Sequence, residues 1–247
     1  MIHLKSSDEI ERLFEAGQIV RVVHDALEKL IAPGISTAEL DAEAEAIIRR
    51  HGGIPAFKGY RGYPATICAS INEEVVHGIP SPKRKLKEGD LLGIDLGVIL
   101  NGWIGDAARS HVVGLGSEEA ERLNRATRES LDRAIAAMTT SGRLGDIGHA
   151  IQSHVEAQGF SVVRQFVGHG VGRNLHEDPQ VPNYGRRGTG MRLQEGLVLA
   201  IEPMINAGAF EVEVLEDGWT AVTVDGRLSA HWEHSIAITA DGPRVLT

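Results

Sequence analysis

A single cysteine, Cys68, occurs in the 247 residues, so neither an intramolecular disulfide nor a cluster of thiolate zinc ligands can form. No stretch approaches the ~18 consecutive apolar residues that a membrane-crossing helix needs, and the first residues lack the apolar core of an export signal. Cytoplasm is the expected compartment, with no membrane partner. Basic residues are also short. The 25 Lys and Arg against 34 Asp and Glu leave a net charge of −9, the wrong sign for a surface that tracks nucleic-acid phosphates. The one basic run, Lys83, Arg84, Lys85 and Lys87, follows Pro80 and Pro82 and reads as a solvated loop. Glycine, in contrast, is plentiful at 29 residues, well above the ~7% of average chains, which points to turns and close backbone approaches. Hydrophobic residues at 42% and charged residues at 24% are ordinary for a packed globular chain.

Ser6 and Glu9 have capping-box spacing, and Ile10, Leu13, Phe14, Gly17, Val20, Leu27 and Ile31 follow at the helical period until Pro33 and Gly34. Ser36 and Glu39 repeat the cap before the stripe Leu40, Ala44, Ile47 and Ile48, which stops at Gly52 and Gly53. A strand over 65–71 and two apolar runs joined by Asn101-Gly102 come next. The order then restarts: a helix from Ser117 to about Met138, a break at Ser141-Gly142, a helix through Ile147, Ile151 and Val155, and a strand from Val162 to Phe166. Further strands are expected over about 196–202, 210–215, 219–224 and 229–239. Two helix-helix-strand halves sharing a largely antiparallel sheet make an α+β chain with helices on one sheet face.

Asn-Gly is a strong two-residue hairpin signal, and with Leu100 opposite Trp103 it sets Asp95 against Ala108 and Gly97 against Asp106. Both aspartates then lie on one face as diagonal neighbours, while Leu92, Ile94, Leu96, Val98 and Leu100 face the core. A divalent cation between the two would offset an otherwise unfavourable strand. An ordinary solvent-facing surface carrying two acids is the alternative. Glu202, closing the run Leu197 to Ile201, and Glu233, between Trp232 and His234, pose the same question, with pairing to an arginine or a backbone donor as the plain answer. Gly168-His169-Gly170-Val171-Gly172 lacks the lysine of a phosphate loop and reads better as backbone crowded around an imidazole that adds a nitrogen ligand among oxygens. His77 and His176 fall in expected loops, where an exposed histidine and an acid/base role both fit. His149 and His154, five apart on one helix, miss the spacing that aims two imidazoles at one ion.

Taken in order and over essentially the whole length, these segments resemble the type I methionine aminopeptidases. The resemblance implies a pita-bread fold with pseudo-two-fold halves and a curved antiparallel sheet, as one catalytic domain spanning 1–247. It places a two-metal site on Asp95 in Gly93-Ile94-Asp95-Leu96, Asp106 in Gly105-Asp106, His169 in the glycine-rich segment, Glu202 in Ile201-Glu202-Pro203-Met204 and Glu233 in Trp232-Glu233-His234. Asp106 and Glu233 bridge two divalent ions in this reading, with Co, Mn, Fe or Zn suiting the donor set. His77 in Val76-His77-Gly78 and His176 in Leu175-His176-Glu177 are expected to contact the peptide and steady the developing oxyanion, and Glu202 to carry the proton. Tyr60, Tyr63, Cys68, Leu175 and Trp219 are expected to line the pocket for methionine.

The implied activity is removal of the N-terminal methionine from nascent proteins whose second residue is small, with the ribosome as a further partner and a monomer as the working form. The inserted helical subdomain of type II relatives and a long N-terminal extension are both lacking, as in the minimal bacterial form. Two positions depart from the pattern. Leu175 replaces a common aromatic residue, which is expected to reshape side-chain preference. Gly97 replaces a common hydroxyl, which is expected to remove a hydrogen bond near the metals and weaken or redirect their binding.

Overall fold

The computed structural model describes residues 2–247. Its α-helices are α1 (Ser7–Glu28), α2 (Thr37–Arg50), α3 (Glu118–Ala137) and α4 (Leu144–Glu156). Both expected capping boxes form: the Ser6 and Ser36 hydroxyls accept the Glu9 and Glu39 N–H groups, and each glutamate accepts its serine's N–H in return. α1 stops short of Ile31, because the Leu30 and Ile31 N–H groups both turn back to the Leu27 carbonyl.

The strand Leu91–Leu100 is the centre of the first sheet. Trp103–Val112 pairs along its full length on one side, and Ile67–Ile71 and Ile54–Pro55 share the other. Asn101 and Gly102 both take positive φ, 51° and 80°, as a type I′ turn requires. The register is the expected one: Leu100 opposes Trp103, Gly97 opposes Asp106 and Asp95 opposes Ala108. Leu92, Ile94, Leu96 and Val98 pack with α1 and α2 in one core, and α3 and α4 close a second core over the later strands. Two cores, each under its own helix pair, are the physical form of the duplication.

The later strands differ from expectation in an informative way. A five-stranded antiparallel sheet runs in the order Gly242–Val245, His234–Thr239, Val198–Ile201, Gly168–Gly170, Glu177–Val181. The strand expected over 229–239 is two strands, Ser229–His231 and His234–Thr239, and Val198–Ile201 is followed after Glu202-Pro203 by Met204–Asn206. His234 pairs with Ile201 in the five-stranded sheet, whereas His231 pairs with Met204 in a separate sheet. Two neighbouring strands therefore change sheets at the same level, and Glu202 and Glu233 sit in the two gaps. The strand expected from Val162 to Phe166 is only Ser161–Val162, followed by one more hydrogen bond, from the Val163 N–H to the Met204 carbonyl at 3.0 Å. Phe166 leaves the strand direction and packs edge-on to His77, with ring centroids 5.6 Å apart.

Candidate metal centre

Three unconnected stretches bring acids to one point. The hairpin presents Asp95 and Asp106 from its inner face, and the double sheet switch supplies Glu202 and Glu233. Ser235 fastens the two: its hydroxyl donates to the Asp106 carbonyl at 2.8 Å and accepts the Asp106 N–H at 3.3 Å, while the Glu233 N–H donates to the Ala108 carbonyl at 2.8 Å. Asn183 holds the Glu202 carbonyl at 2.9 Å. Gly168 and Gly170 flank His169 because a methyl group on either would lie 2.4 or 2.3 Å from the Ala200 or Asp178 carbonyl oxygen.

Asp95, Asp106, His169, Glu202 and Glu233 all line one cleft of about 180 Å³. Ligand-type atoms of Asp106, His169 and Glu233 lie within 4.8 Å of one another. His169 Nε2 is 3.3 Å from Glu202 Oε1 and 3.9 Å from Asp106 Oδ2. His169 Nδ1 lies 2.9 Å from the Gly170 carbonyl, an obligate acceptor, so Nδ1 carries the hydrogen and Nε2 turns a lone pair toward the carboxylates. Asp95 Oδ1, Asp106 Oδ1, Glu202 Oε1 and Glu233 Oε1 are buried without a hydrogen-bond partner. Electron-pair donors thus face one another with no hydrogen-bond donor from the rest of the protein between them, and among the described residues no Lys or Arg lines this cleft except Arg61.

The electrostatic consequence has one sign. Burial, reinforced by the neighbouring carboxylates, pushes Asp95, Glu202 and Glu233 well above the usual carboxylate range, and burial pushes Asp106 up to about 7. Burial, with His176 nearby, lowers His169 to about 4, so its imidazole is neutral at neutral pH. Two buried acids, Asp106 and Glu233, two half-buried ones, Asp95 and Glu202, and a neutral imidazole with an inward lone pair make an oxygen-rich donor set that fits a divalent metal.

The remaining expected residues surround this floor. Tyr60, Tyr63, Cys68, His77, Leu175, His176 and Trp219 all line the cleft. Tyr63 packs edge-on to Trp219 with centroids 5.1 Å apart, and its hydroxyl donates to the Ile67 carbonyl at 3.0 Å. Cys68 is buried, and that burial raises its thiol, which leaves it protonated and apolar. His176 Nδ1 meets the Tyr60 hydroxyl at 2.9 Å, and its ring lies 4.3 Å from that of His169. Burial lowers both His176 and His77, the latter to about 4. His77 holds a positive φ of 63°, uncommon for a side-chain-bearing residue and frequent at functional sites.

Sequence reasoning missed Phe57 and Arg61 in the lining, and also His231, whose buried Nε2 is 4.0 Å from Glu202 Oε2. None of the three sits in a motif of its own, and only the Val76-His77 type of local signature could have flagged them. His149 is exposed as expected, but His154 is half-buried and reaches Glu129 at 3.1 Å. Phe57 corrects the reading of Gly97. A Cβ there would lie 2.9 Å from the Phe57 ring and 3.0 Å from the Ala56 methyl, so the space a hydroxyl would need is filled by an aromatic edge. Gly97→Ser is expected to destabilise the protein by about 1–3 kcal/mol through overpacking, read as a lower urea midpoint. An unchanged midpoint would show that Phe57 yields freely.

Antiparallel sheets backed by two pairs of helices, with a carboxylate-rich centre in one cleft, define a metal-dependent hydrolase of the pita-bread class. The profile of metallopeptidase family M24 matches residues 11–240, and the chain belongs to that family. The methionine aminopeptidase of Clostridium perfringens is 52% identical over 247 residues, covering 100% of this chain and 99% of that one. A crystal structure of methionine aminopeptidase from Thermotoga maritima superposes with a TM-score of 0.98 at 48% identity, covering 100% of this chain and 99% of the other. The prolidase from Pyrococcus furiosus shares the fold at a TM-score of 0.78 and 25% identity, with 99% of this chain matched to 65% of that one.

Proposed function

We propose that the chain is a methionine aminopeptidase that removes the first methionine from newly made proteins with a small second residue, working as one catalytic domain over 1–247. The cytoplasm, a monomer and action on chains emerging from the ribosome complete the proposal. The observation that carries it is the cleft: a floor of inward-facing carboxylates and one neutral imidazole beneath apolar walls of Tyr63, Cys68, Leu175 and Trp219. Among the described residues no helix is long and apolar enough to cross a membrane.

Asp95, Asp106, His169, Glu202 and Glu233 would hold two divalent ions, with Asp106 and Glu233 shared, and Co, Mn, Fe or Zn all suit four carboxylates and one imidazole. Bound there, divalent ions supply Lewis acidity to the scissile carbonyl and make water nucleophilic at neutral pH. The protein's own groups do the rest. The thioether side chain packs between Tyr63, Trp219, Leu175 and the Cys68 thiol, which excludes water from one side. Glu202 takes the proton of the attacking water at its inward oxygen and passes it to the departing amine. His176 steadies the oxygen of the tetrahedral state, with its ring oriented by the Tyr60 hydroxyl. His77, neutral and packed edge-on against the Phe166 and Trp219 rings, orients the following peptide group.

Met-Ala-Ser and Ala-Pro peptides, each assayed with and without added divalent metal, test the proposal. Metal-dependent release of methionine from the first alone is expected, and hydrolysis of Ala-Pro instead would replace the reading with a prolidase. Tyr60→Phe removes one hydrogen bond to His176, and at about 1 kcal/mol this is expected to lower kcat/KM about fivefold. Parent-like turnover in that variant would remove Tyr60 from the mechanism.

A further inference from the structure

His176 lies in a short turn between Gly172 and the strand Glu177–Val181, and the side chain after it does not face the cleft. Glu177 folds back under that turn. Its Oε1 accepts the N–H groups of Arg173 at 3.0 Å and Asn174 at 3.2 Å, and a Cβ on Gly172 would lie 2.5 Å from the same oxygen. The other oxygen meets Lys5 Nζ at 2.6 Å, and the Lys5 side chain is only 2% exposed, against 16% for Glu177. Lys5 is anchored in turn: its N–H donates to the Gly196 carbonyl at 2.7 Å and its ammonium to the His3 carbonyl at 3.1 Å. Although burial acts to raise Glu177, the Lys5 ammonium and the two turn N–H groups hold it below the usual carboxylate range.

A carboxylate this sheltered stays ionised in place only while its cation is beside it. Removing one partner of a buried pair leaves an uncompensated charge that draws toward water. Here that charge is what gathers the Arg173 and Asn174 N–H groups. We infer that Lys5, from the segment before α1, is a positioning residue for the reaction: its ion pair with Glu177 shapes the 173–176 turn and thereby fixes His176 over the metal centre. The inference rests on the catalytic role proposed for His176. The ordinary alternative is that the pair merely fastens the N-terminal segment, in which case activity would follow the folded fraction alone.

Lys5→Met, Lys5→Arg and the double variant Lys5→Met/Glu177→Gln separate these cases, using the metal-loaded protein with Met-Ala-Ser and amide hydrogen exchange in parallel. Lys5→Met is expected to lower kcat about tenfold with KM within about twofold, at a temperature where the variant is fully folded, and to speed exchange at Arg173 and Asn174. Lys5→Arg keeps the charge and should restore kcat to within about threefold of the parent. The double variant removes the stranded charge while a glutamine oxygen still accepts the turn N–H groups, and it should recover most of the lost kcat. Parent-like kcat in Lys5→Met, unchanged exchange at the two amides, or a loss rescued by neither second variant would each overturn the inference. A parent protein that releases no methionine would instead overturn the aminopeptidase reading, and the exchange measurement would still report whether Lys5 shapes the turn.

Discussion

Glu233→Gln and Asp106→Asn are each expected to lower kcat/KM by about 10³-fold or more, while making the metal-stripped protein more stable. The two signs come from one cause. Both side chains are shared ligands in the proposed site, so loss of either charge disrupts both ion positions rather than one. Without metal, each of these acids has an unpartnered oxygen among other acids, and burial keeps its proton on at a pH where the unfolded chain has released it, a cost that an amide does not carry. Circular dichroism melting of EDTA-treated proteins should therefore rank both variants above the parent, and added Mn or Co should raise the parent's melting temperature far more than theirs. A variant that keeps parent turnover would remove that residue from the ligand set. A metal-stripped variant less stable than the parent would mean that the carboxylate has a structural partner.

The second large effect is a pH dependence confined to the metal-stripped protein. Each of the four acids has a folded-state pKa above its unfolded value. An acid raised in this way holds its proton in the folded state after the unfolded chain has released it. Its contribution is neutral below the ordinary carboxylate pKa near 4, and stability is lost as pH rises through the folded value, which for Asp106 is about 7. Between pH 5 and pH 8 the stripped protein should lose several kcal/mol of unfolding free energy, given about 1.4 kcal/mol per decade of acidity. Saturating divalent metal should flatten the profile, because ligation favours the ionised carboxylates. Urea unfolding at the two pH values, with and without metal, checks this. A flat profile in the stripped protein would mean that the acids are already compensated by something other than metal.

Local chemistry made much of the site legible before any fold was known. The Asn101-Gly102 turn demands positive φ at both residues, which fixes a two-residue loop and, through the period of two, the face on which Asp95 and Asp106 lie. The capping boxes at Ser6 and Ser36 likewise depend on contacts three residues apart. The strands around Glu202 and Glu233 were harder to place. They are three to six residues long and trade partners at the same level, so their alternation is interrupted before it can be read.

Sequence alone therefore determined the helices, the central hairpin with its register and, through motif resemblance, the identities of the four acids and one imidazole grouped in the cleft. Tertiary structure alone decided that the two glutamates occupy adjacent gaps in a double sheet switch, that Phe57 fills the space over Gly97, and that Lys5 lies buried against Glu177 from 172 residues away. The reason is the range of the forces. Turn dihedrals, caps and side-chain alternation are set by neighbours a few residues apart, whereas strand exchange, close packing and a buried ion pair exist only once distant segments have met and excluded water.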